Sequence, residues 1–271
     1  MFSVVFSGDR ARRRFADLCL GALVALVLVC AQSSARAESA QDIVAKADTV
    51  RNPEKPFRGT TTLTEYKSSQ PVNRNVLLIF SKIDPSSRQF FNLVRYIDPP
   101  RDAGKMVLLG HVLWFYDPSS KTSVRISPQQ RLTGQAAIGD VLTANLAIDY
   151  TASLVGPETI TDAEHTQRQT WHLDMKAASE NATYNRVEYW VEQGTYRPIK
   201  AKFYSDSGRL LKILYYRNFA QRLGAERPGG AVIIDAVDSS LVTTVEFSDS
   251  KFQDIPDVWF QRDYLPHLNV Q

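Results

Sequence analysis

The chain has 271 residues and a formal net charge of +3, and 44% of its residues are hydrophobic while 23% are charged. This balance is typical of a folded globular protein and excludes a disordered polar chain. Beyond Ala37 the sequence contains no run of basic residues suited to tracking phosphates, so nucleic-acid binding has no support.

The N-terminal region has the three parts of a cleavable export signal. Arg10 and Arg12–Arg14 give it a positive start, and Leu18–Cys30 is an uninterrupted apolar run. This run of about thirteen residues is too short to span a bilayer core of roughly 30 Å as a helix. Ala35-Arg36-Ala37 then matches the small-x-small pattern that precedes cleavage. The sequence therefore predicts a signal peptide over residues 1–37 and a product in the periplasm.

Three alternatives stay open for this region. It could be retained as a membrane anchor, or it could carry a lipid on Cys30, although the branched Val27 stands where a lipobox has a small residue. The stretch Arg12-Arg13-Arg14-Phe15 is similar to a twin-arginine signal, so that route and the general export route are both possible.

Removal of the signal changes the chemistry of the remaining chain, residues 38–271. Both cysteines, Cys19 and Cys30, leave with it, so the product has no disulfide and no thiolate metal site. Its five basic and two acidic residues leave too, so that 27 of 32 basic and 27 of 29 acidic residues remain and the formal charge is zero. The length is sufficient for one domain with its own core.

The first element of this domain is predicted to be a helix. Ser39 can cap it, apolar residues at Ile43, Val44 and Ala47 form a stripe at helical spacing, and Asn52-Pro53 ends it.

Most of the remaining sequence alternates with period two, which predicts strands separated by short turns. A sheet of about ten or eleven antiparallel strands should curl rather than stay flat. A short helix or turn is expected over residues 256–265. The predicted strands cover residues 59–66, 74–83, 90–97, 106–109 and 112–116 on either side of a tight turn or bulge at Gly110-His111, 122–126, 169–175, 184–192, 198–204, 210–219, 231–237 and 241–247.

Residues 128–158 break this pattern. Residues 129–138 do not alternate, and residues 141–147 have a helical pattern. We interpret residues 128–148 as an insert between the two halves of one sheet that forms a mobile lid, with Gly134 and Gly139 as hinges.

Several strands carry large apolar residues on both faces, for example Leu77 beside Leu78. One apolar face packs a core, and a second is either covered by a helix or receives an apolar ligand. The pattern alone favours neither. Strand register decides which face turns inward, since a slip of one residue exchanges the faces. The residues that we predict to line a ligand cavity are Leu78, Phe80, Phe91, Leu93, Trp114 and Tyr116.

The sequence contains none of the common catalytic signatures, neither a nucleophile elbow, nor a zinc-protease helix, nor a phosphate-binding loop. The four histidines have no metal-ligand spacing. We therefore expect a protein that is not an enzyme and that needs no metal or cofactor.

Four stretches stand out in their order and spacing. They are Ala45-Lys46-Ala47-Asp48-Thr49-Val50-Arg51-Asn52-Pro53, Leu113-Trp114-Phe115-Tyr116-Asp117-Pro118 with Val124-Arg125-Ile126-Ser127, Asp149-Tyr150, and Trp259-Phe260-Gln261-Arg262-Asp263-Tyr264-Leu265. With them the chain resembles the outer-membrane lipoprotein-sorting proteins, the LolA/LolB-like family, in the branch often paired with RND-type exporters. It departs from that pattern at Ile138-Gly139-Asp140, where a Gly-Ser-Asp-like stretch is common.

The resemblance implies a mainly β (α+β) fold, an unclosed antiparallel β-barrel with helices over its concave side. It implies a periplasmic carrier that binds acyl chains of a lipoprotein or lipid and moves them between the inner and outer membranes. The implied partners are that cargo, an inner-membrane exporter of the RND or ABC type, and an outer-membrane acceptor. A binding sensor of lipoproteins or envelope stress is the alternative within the same fold, and a hydrolase ranks third.

The signal can be tested directly. We expect cleavage after Ala37 and a periplasmic product that starts at Glu38, because the cleavage pattern is good and the lipobox is poor. Intact mass and N-terminal sequencing of the protein from an expressing cell check this. An acylated Cys30 at the N-terminus would contradict it.

Overall fold

The structure, a computed structural model, describes Met1 and residues 38–110, 112–180 and 182–268. The predicted signal peptide lies outside the described residues, apart from Met1, and so does its cleavage site.

The predicted first helix is confirmed as α1 (Ala40–Arg51). Ser39 caps it: its hydroxyl accepts a hydrogen bond from the N–H of Asp42 at 3.1 Å, and the Asp42 carboxylate accepts one from the N–H of Ser39 at 3.3 Å. This reciprocal pair satisfies two N–H groups that the first turn leaves free. The apolar side of α1 is fully buried against the sheet.

Strands make up most of the chain, and two further short helices, α2 (Ile138–Val141) and α3 (Leu146–Asp149), lie within it. The strands are β1 (Phe57–Lys67), β2 (Gln70–Ile83), β3 (Phe90–Asp98), β4 (Met106–Leu109), β5 (Leu113–Asp117), β6 (Thr122–Arg125), β7 (Arg131–Thr133), β8 (Ala136–Ala137), β9 (Tyr150–Thr161), β10 (Gln167–Ala177), β11 (Arg186–Glu192), β12 (Pro198–Tyr204), β13 (Leu210–Arg217), β14 (Ala220–Arg222), β15 (Ala225–Arg227), β16 (Gly230–Asp235) and β17 (Leu241–Phe252). Two 3-10 helices, Asp257–Phe260 and Arg262–His267, follow near the C-terminus.

Thirteen of these strands, counted over the described residues, form one antiparallel sheet in the order β6-β5-β4-β3-β2-β1-β17-β16-β13-β12-β11-β10-β9. The strands pair in sequence order except at two places: β1 pairs with β17 at the centre, and β13 pairs with β16 across the hairpin β14–β15. The outermost strands, β6 and β9, do not pair with each other, so the sheet is unclosed. The predicted fold class is confirmed as mainly β with few short helices. The hairpins β7–β8 and β14–β15 stand apart from the sheet.

The sheet curls around α1. Thirteen flat strands at a spacing of about 4.8 Å would extend over roughly 58 Å. Leu77 of β2 and Leu173 of β10, from opposite halves of the sheet, nevertheless belong to one continuous buried cluster with Val44 of α1. We call the side of the sheet that faces this cluster the inner face.

The outer face has its own apolar cluster and its own cover. A C-terminal segment, residues 253–268, places Ile255, Phe260 and Leu265 against β2–β5. The ring of Trp259 meets that of Phe80 edge-on at 5.3 Å. The short helix or turn expected at residues 256–265 is thus two 3-10 helices that close the outer face.

Two differences from the predicted elements concern exposed or broken segments. Strand β9 occupies residues that we interpreted as irregular, because it is an edge strand exposed on both sides and shows no alternation. The helix expected over residues 141–147 is two single turns, α2 and α3, with Leu142–Asn145 non-helical between them.

Candidate functional site

The insert, residues 128–148, lies on the inner face and is held there by polar side chains of the sheet. At its first turn, Asn75 of β2 donates a hydrogen bond to Thr133 at 2.8 Å, and the N–H of Gln135 donates to the Thr243 hydroxyl of β17 at 2.8 Å. Gly134 between them has φ +50°, and a Cβ there would lie 2.3 Å from the Thr243 hydroxyl oxygen. The predicted hinge glycine is therefore also a point of close contact.

A buried ion pair holds the middle of the insert. Lys212 of β13 contacts Asp140 of α2, and their side chains are only 6% and 3% exposed. The Tyr184 hydroxyl donates to the same carboxylate at 3.1 Å, and Lys212 also donates to the carbonyl of Gln135 at 3.0 Å. Hydrogen bonds thus satisfy both charges, as a buried pair requires.

The other predicted hinge, Gly139, is seated just as closely. A Cβ at this position would lie 2.0 Å from the hydroxyl oxygen of Thr183 and 2.9 Å from its Cβ. Only glycine permits this approach of α2 to the loop before β11.

The far end of the insert is bonded both to the sheet and to α1. The Asn92 side chain of β3 donates to the Thr143 carbonyl at 2.9 Å and accepts from its N–H at 3.0 Å. Asn52 donates to the Ala144 carbonyl at 2.8 Å, and the Ala147 N–H donates to Asp48 at 2.8 Å. Burial raises the pKa of Asp48 despite these partners.

Between the insert, the sheet and the end of α1 lies a partly open cavity of about 140 Å³, which we call the inner cavity. Strands β1, β2, β13, β16 and β17 form its floor, the insert closes one side, and the hairpin β14–β15 closes another. Most of its wall is apolar. The apolar side chains include Phe57, Ile79, Leu142, Leu214, Ala231, Val245 and Phe247.

Three arginines also border this cavity: Arg51 at the end of α1, Arg222 of β14 and Arg227 of β15. Arg51 pairs with Asp48 at 2.9 Å. Arg227 donates to the carbonyls of Thr49 and Val50 at 2.9 and 3.0 Å and so caps the C-terminus of α1. Burial lowers the pKa of Arg222, and it also lowers that of Arg227.

Other recesses of the surface are more polar. One of about 570 Å³ lies beside the insert and β13, and Arg131, Asp206, Arg209 and Asp235 border it. Because the charged groups of this recess are hydrated, the recess suits an apolar ligand less well than the inner cavity does.

The six residues predicted to line a cavity share one face, but it is the outer face. Leu78, Phe80, Leu93 and Tyr116 are buried in the outer cluster, and Phe91 and Trp114 pack against it. The residues next to them along the strands face inward, and one of these, Ile79, borders the inner cavity. None of the six borders that cavity, and Phe91 borders a separate recess of about 480 Å³ near β6. Ligand binding by these six side chains stays a prediction.

Some residues at the cavity were not predicted from the sequence, although the sequence contains signals for them. Arg51 stands directly before Asn52-Pro53, and the free carbonyls at the end of a helix attract a cation there. Leu223-Gly224 between Arg222 and Ala225 has the positive φ values, 49° and 77°, of a tight hairpin turn. The inward residues Ile79 and Leu214 were as apolar as their outward neighbours, so nothing in the pattern distinguished them.

Among the residues that the structure describes, no group of three or more histidine, cysteine or carboxylate side chains is arranged to hold a metal ion. Nor does any described helix have both the length and the apolar character needed to cross a membrane.

Comparisons with known proteins agree on this fold. The chain is 35% identical to a LolA superfamily protein from Nitrosomonas europaea, with a TM-score of 0.74 over 83% of this chain and 99% of that one. A putative outer membrane lipoprotein-sorting protein domain from Vibrio parahaemolyticus is 19% identical, with a TM-score of 0.70 over 84% and 98%. A DUF1329 family protein from Desulfovibrio piger is 16% identical, with a TM-score of 0.70 over 83% and 97%.

Residues 91–267 match a family described only as an uncharacterized protein family. A search of curated proteins gave no match. The open antiparallel sheet with a covered inner face is thus the fold of LolA-like lipoprotein-sorting domains. With more than a third of its residues identical to the Nitrosomonas europaea protein over most of its length, the chain belongs to the LolA superfamily.

The ion pair that holds the insert can be tested. Asp140→Ala leaves the Lys212 ammonium buried without its carboxylate, so we expect the free energy of unfolding to fall by about 3–5 kcal/mol. Urea denaturation of residues 38–271 measures it. Asp263→Ala, which removes an exposed partner of Arg262, is the matched control and should change stability by less than about 1 kcal/mol. Equal effects would mean that the buried pair does not hold the insert.

Proposed function

We propose that this protein is a periplasmic carrier that holds acyl chains of a lipoprotein or lipid on its inner face and moves them between the inner and outer membranes. The proposal is supported above all by the apolar inner cavity, which lies beneath the insert. Polar contacts hold the insert on the sheet. Transfer of each methylene from water to an apolar site is favourable by about 0.8 kcal/mol, so the hydrophobic effect favours binding of an acyl chain there.

The insert gives this site a way to open. Its apolar residues Ile138, Val141 and Leu142 fill the inner face in the closed state. Withdrawal of the insert would leave that apolar surface free for cargo, and water would replace its polar contacts. The present cavity would then be the part of a longer groove that the insert leaves unfilled.

The family and the predicted signal support the rest of the proposal. A periplasmic carrier requires an exporter of the RND or ABC type that delivers cargo at the inner membrane and an acceptor at the outer membrane. The LolA-like fold and the sequence of residues 1–37 support these partners, the periplasmic location and the single domain over residues 38–271 as parts of the proposal.

Cargo binding can be measured on matched variants. Ala231→Phe fills the inner cavity and should therefore weaken the binding of lipid by roughly tenfold or more. Mass spectrometry of organic extracts measures the lipid that the protein retains, and titration with a fluorescent fatty acid measures its affinity. Val232→Phe, on the other face of the same strand, is the control for a larger side chain. Thermal unfolding of each variant confirms folding, since overpacking also destabilises.

Trp114→Ala is the corresponding test of the outer face. If the inner cavity holds the cargo, a folded Trp114→Ala protein binds lipid as the wild type does. Loss of binding in this variant, with Ala231→Phe still active, would move the site to the six residues predicted from the sequence and contradict the inner location.

Lid movement predicts a change in hydrogen exchange. Cargo should slow exchange across residues 134–147 more than in the strands, because a lid that has opened and closed over a ligand opens less often. Exchange with and without bound lipid, followed by mass spectrometry, measures this. Equal protection in both states would identify the insert as a static cover and favour the sensor over the carrier. Transfer of bound lipid between two sets of vesicles would then separate these roles.

A further inference from the structure

The three arginines at the inner cavity have few carboxylates close to them. Among the described residues, the one acidic side chain of the cavity wall is Asp140, and it is already paired with the ammonium of Lys212. Outside the wall, the charge of Glu54 acts to raise the pKa of Arg227, against the larger effect of burial. Asp48 pairs with Arg51. Neither Arg222 nor Arg227 forms an ion pair with a carboxylate of the described chain.

The hydrogen bonds of these guanidinium groups are also incomplete. Arg222, which is half-buried, donates to the Ser250 hydroxyl at 2.9 Å and to the Pro228 carbonyl at 3.5 Å, and it lies over the ring of Phe247 at 5.8 Å. The Nε atoms of Arg51 and Arg227 are buried and have no hydrogen-bond partner within the described residues. An unpartnered buried donor costs free energy, and the cost is larger for a charged group.

The three arginines border the same cavity because of where α1 ends and where the hairpin β14–β15 turns. The hairpin β14–β15 leaves the main sheet between β13 and β16 and turns at Leu223-Gly224. It thereby brings Arg222 and Arg227 to the apolar cavity, beside Arg51 at the end of α1. Cations and an apolar wall together match an amphiphile with an anionic group at one end.

We propose that the cargo is an anionic amphiphile whose carboxylate or phosphate is bound by Arg222 and Arg227, with Arg51 beside them, while its acyl chain lies in the cavity. The inference rests on the proposed carrier function and narrows its substrate class. A planar guanidinium group binds two oxygens of a carboxylate or a phosphate through paired, charge-assisted hydrogen bonds. A neutral ester or amide head group has no negative charge to strengthen such bonds. A neutral acylglycerol should therefore bind more weakly than an anionic amphiphile with the same acyl chain.

Displacement of the neutral dye nile red from residues 38–271 tests this with three probes that share one acyl chain. These are palmitate, palmitoyl lysophosphatidic acid and monopalmitoylglycerol. We expect an anionic probe to bind roughly tenfold tighter than the neutral one, as a charge-assisted hydrogen bond provides. The tighter of the two anionic probes identifies the source as a free fatty acid or a phospholipid.

Variants assign the preference to the arginines. Arg222→Gln should remove most of the anionic preference, measured as the ratio of the affinities for palmitate and monopalmitoylglycerol in the same variant, while Arg222→Lys should retain part of it. Arg74→Gln, which removes an exposed arginine paired with Asp98, is the control and should behave as the wild type. Arg227 is left intact because it also caps α1.

The outcomes separate this inference from the function on which it rests. Equal affinity for the charged and neutral probes, or a preference that persists in Arg222→Gln, overturns the inference and leaves the carrier proposal standing. Failure of all three probes to displace nile red overturns both. A raised salt concentration should weaken binding of the anionic probes alone, and an absence of salt dependence would also contradict the inference.

Discussion

The inner face of the sheet is apolar along both halves and the outer face is apolar over β2–β5, and the fold depends on covering both apolar surfaces. A helix and the insert cover the inner face, and the C-terminal segment covers the outer face. Exposure of either face would leave a large apolar surface in water, which soluble monomers rarely tolerate. This constraint explains why so much of the chain outside the strands lies flat against the sheet.

The two covers differ in chemistry. The C-terminal segment meets the sheet through Ile255, Trp259 and Leu265, so its removal exposes apolar surface with no compensation. The insert packs Ile138, Val141 and Leu142 into the inner cluster, but it also meets the sheet through hydrogen bonds and an ion pair, for example at Thr133 and Asp140. A hydrogen bond contributes only about 0.5–1.5 kcal/mol net, because water can replace either partner. Under the proposed carrier function, water would replace these polar contacts when the insert opens, and an apolar ligand would take the place of its apolar residues.

Alternation was sufficient to predict the strands that have a buried side, but it could not choose the face. Leu77 and Leu78 are equally apolar, and only pairing with β1 and β3 places one inside and the other outside. Strand β9 escaped prediction because exposure on both sides removes any pattern. The cavity arginines escaped it for another reason. Their proposed role depends on how few carboxylates lie near Arg222 and Arg227 in space, and the spacing of residues in the sequence does not show this.

The unpaired strands β6 and β9 give the sheet a free seam. In a closed barrel the radius is fixed by the number of strands and their stagger, so the interior cannot widen unless ladder hydrogen bonds break. An open sheet can change its curvature by small adjustments of twist at every strand while all its ladders stay intact. The short β6 and the Gly156-Pro157 step in β9 also make these edges poor templates for another strand. The girth of the interior can thus change at little elastic cost, because no ladder of hydrogen bonds has to break.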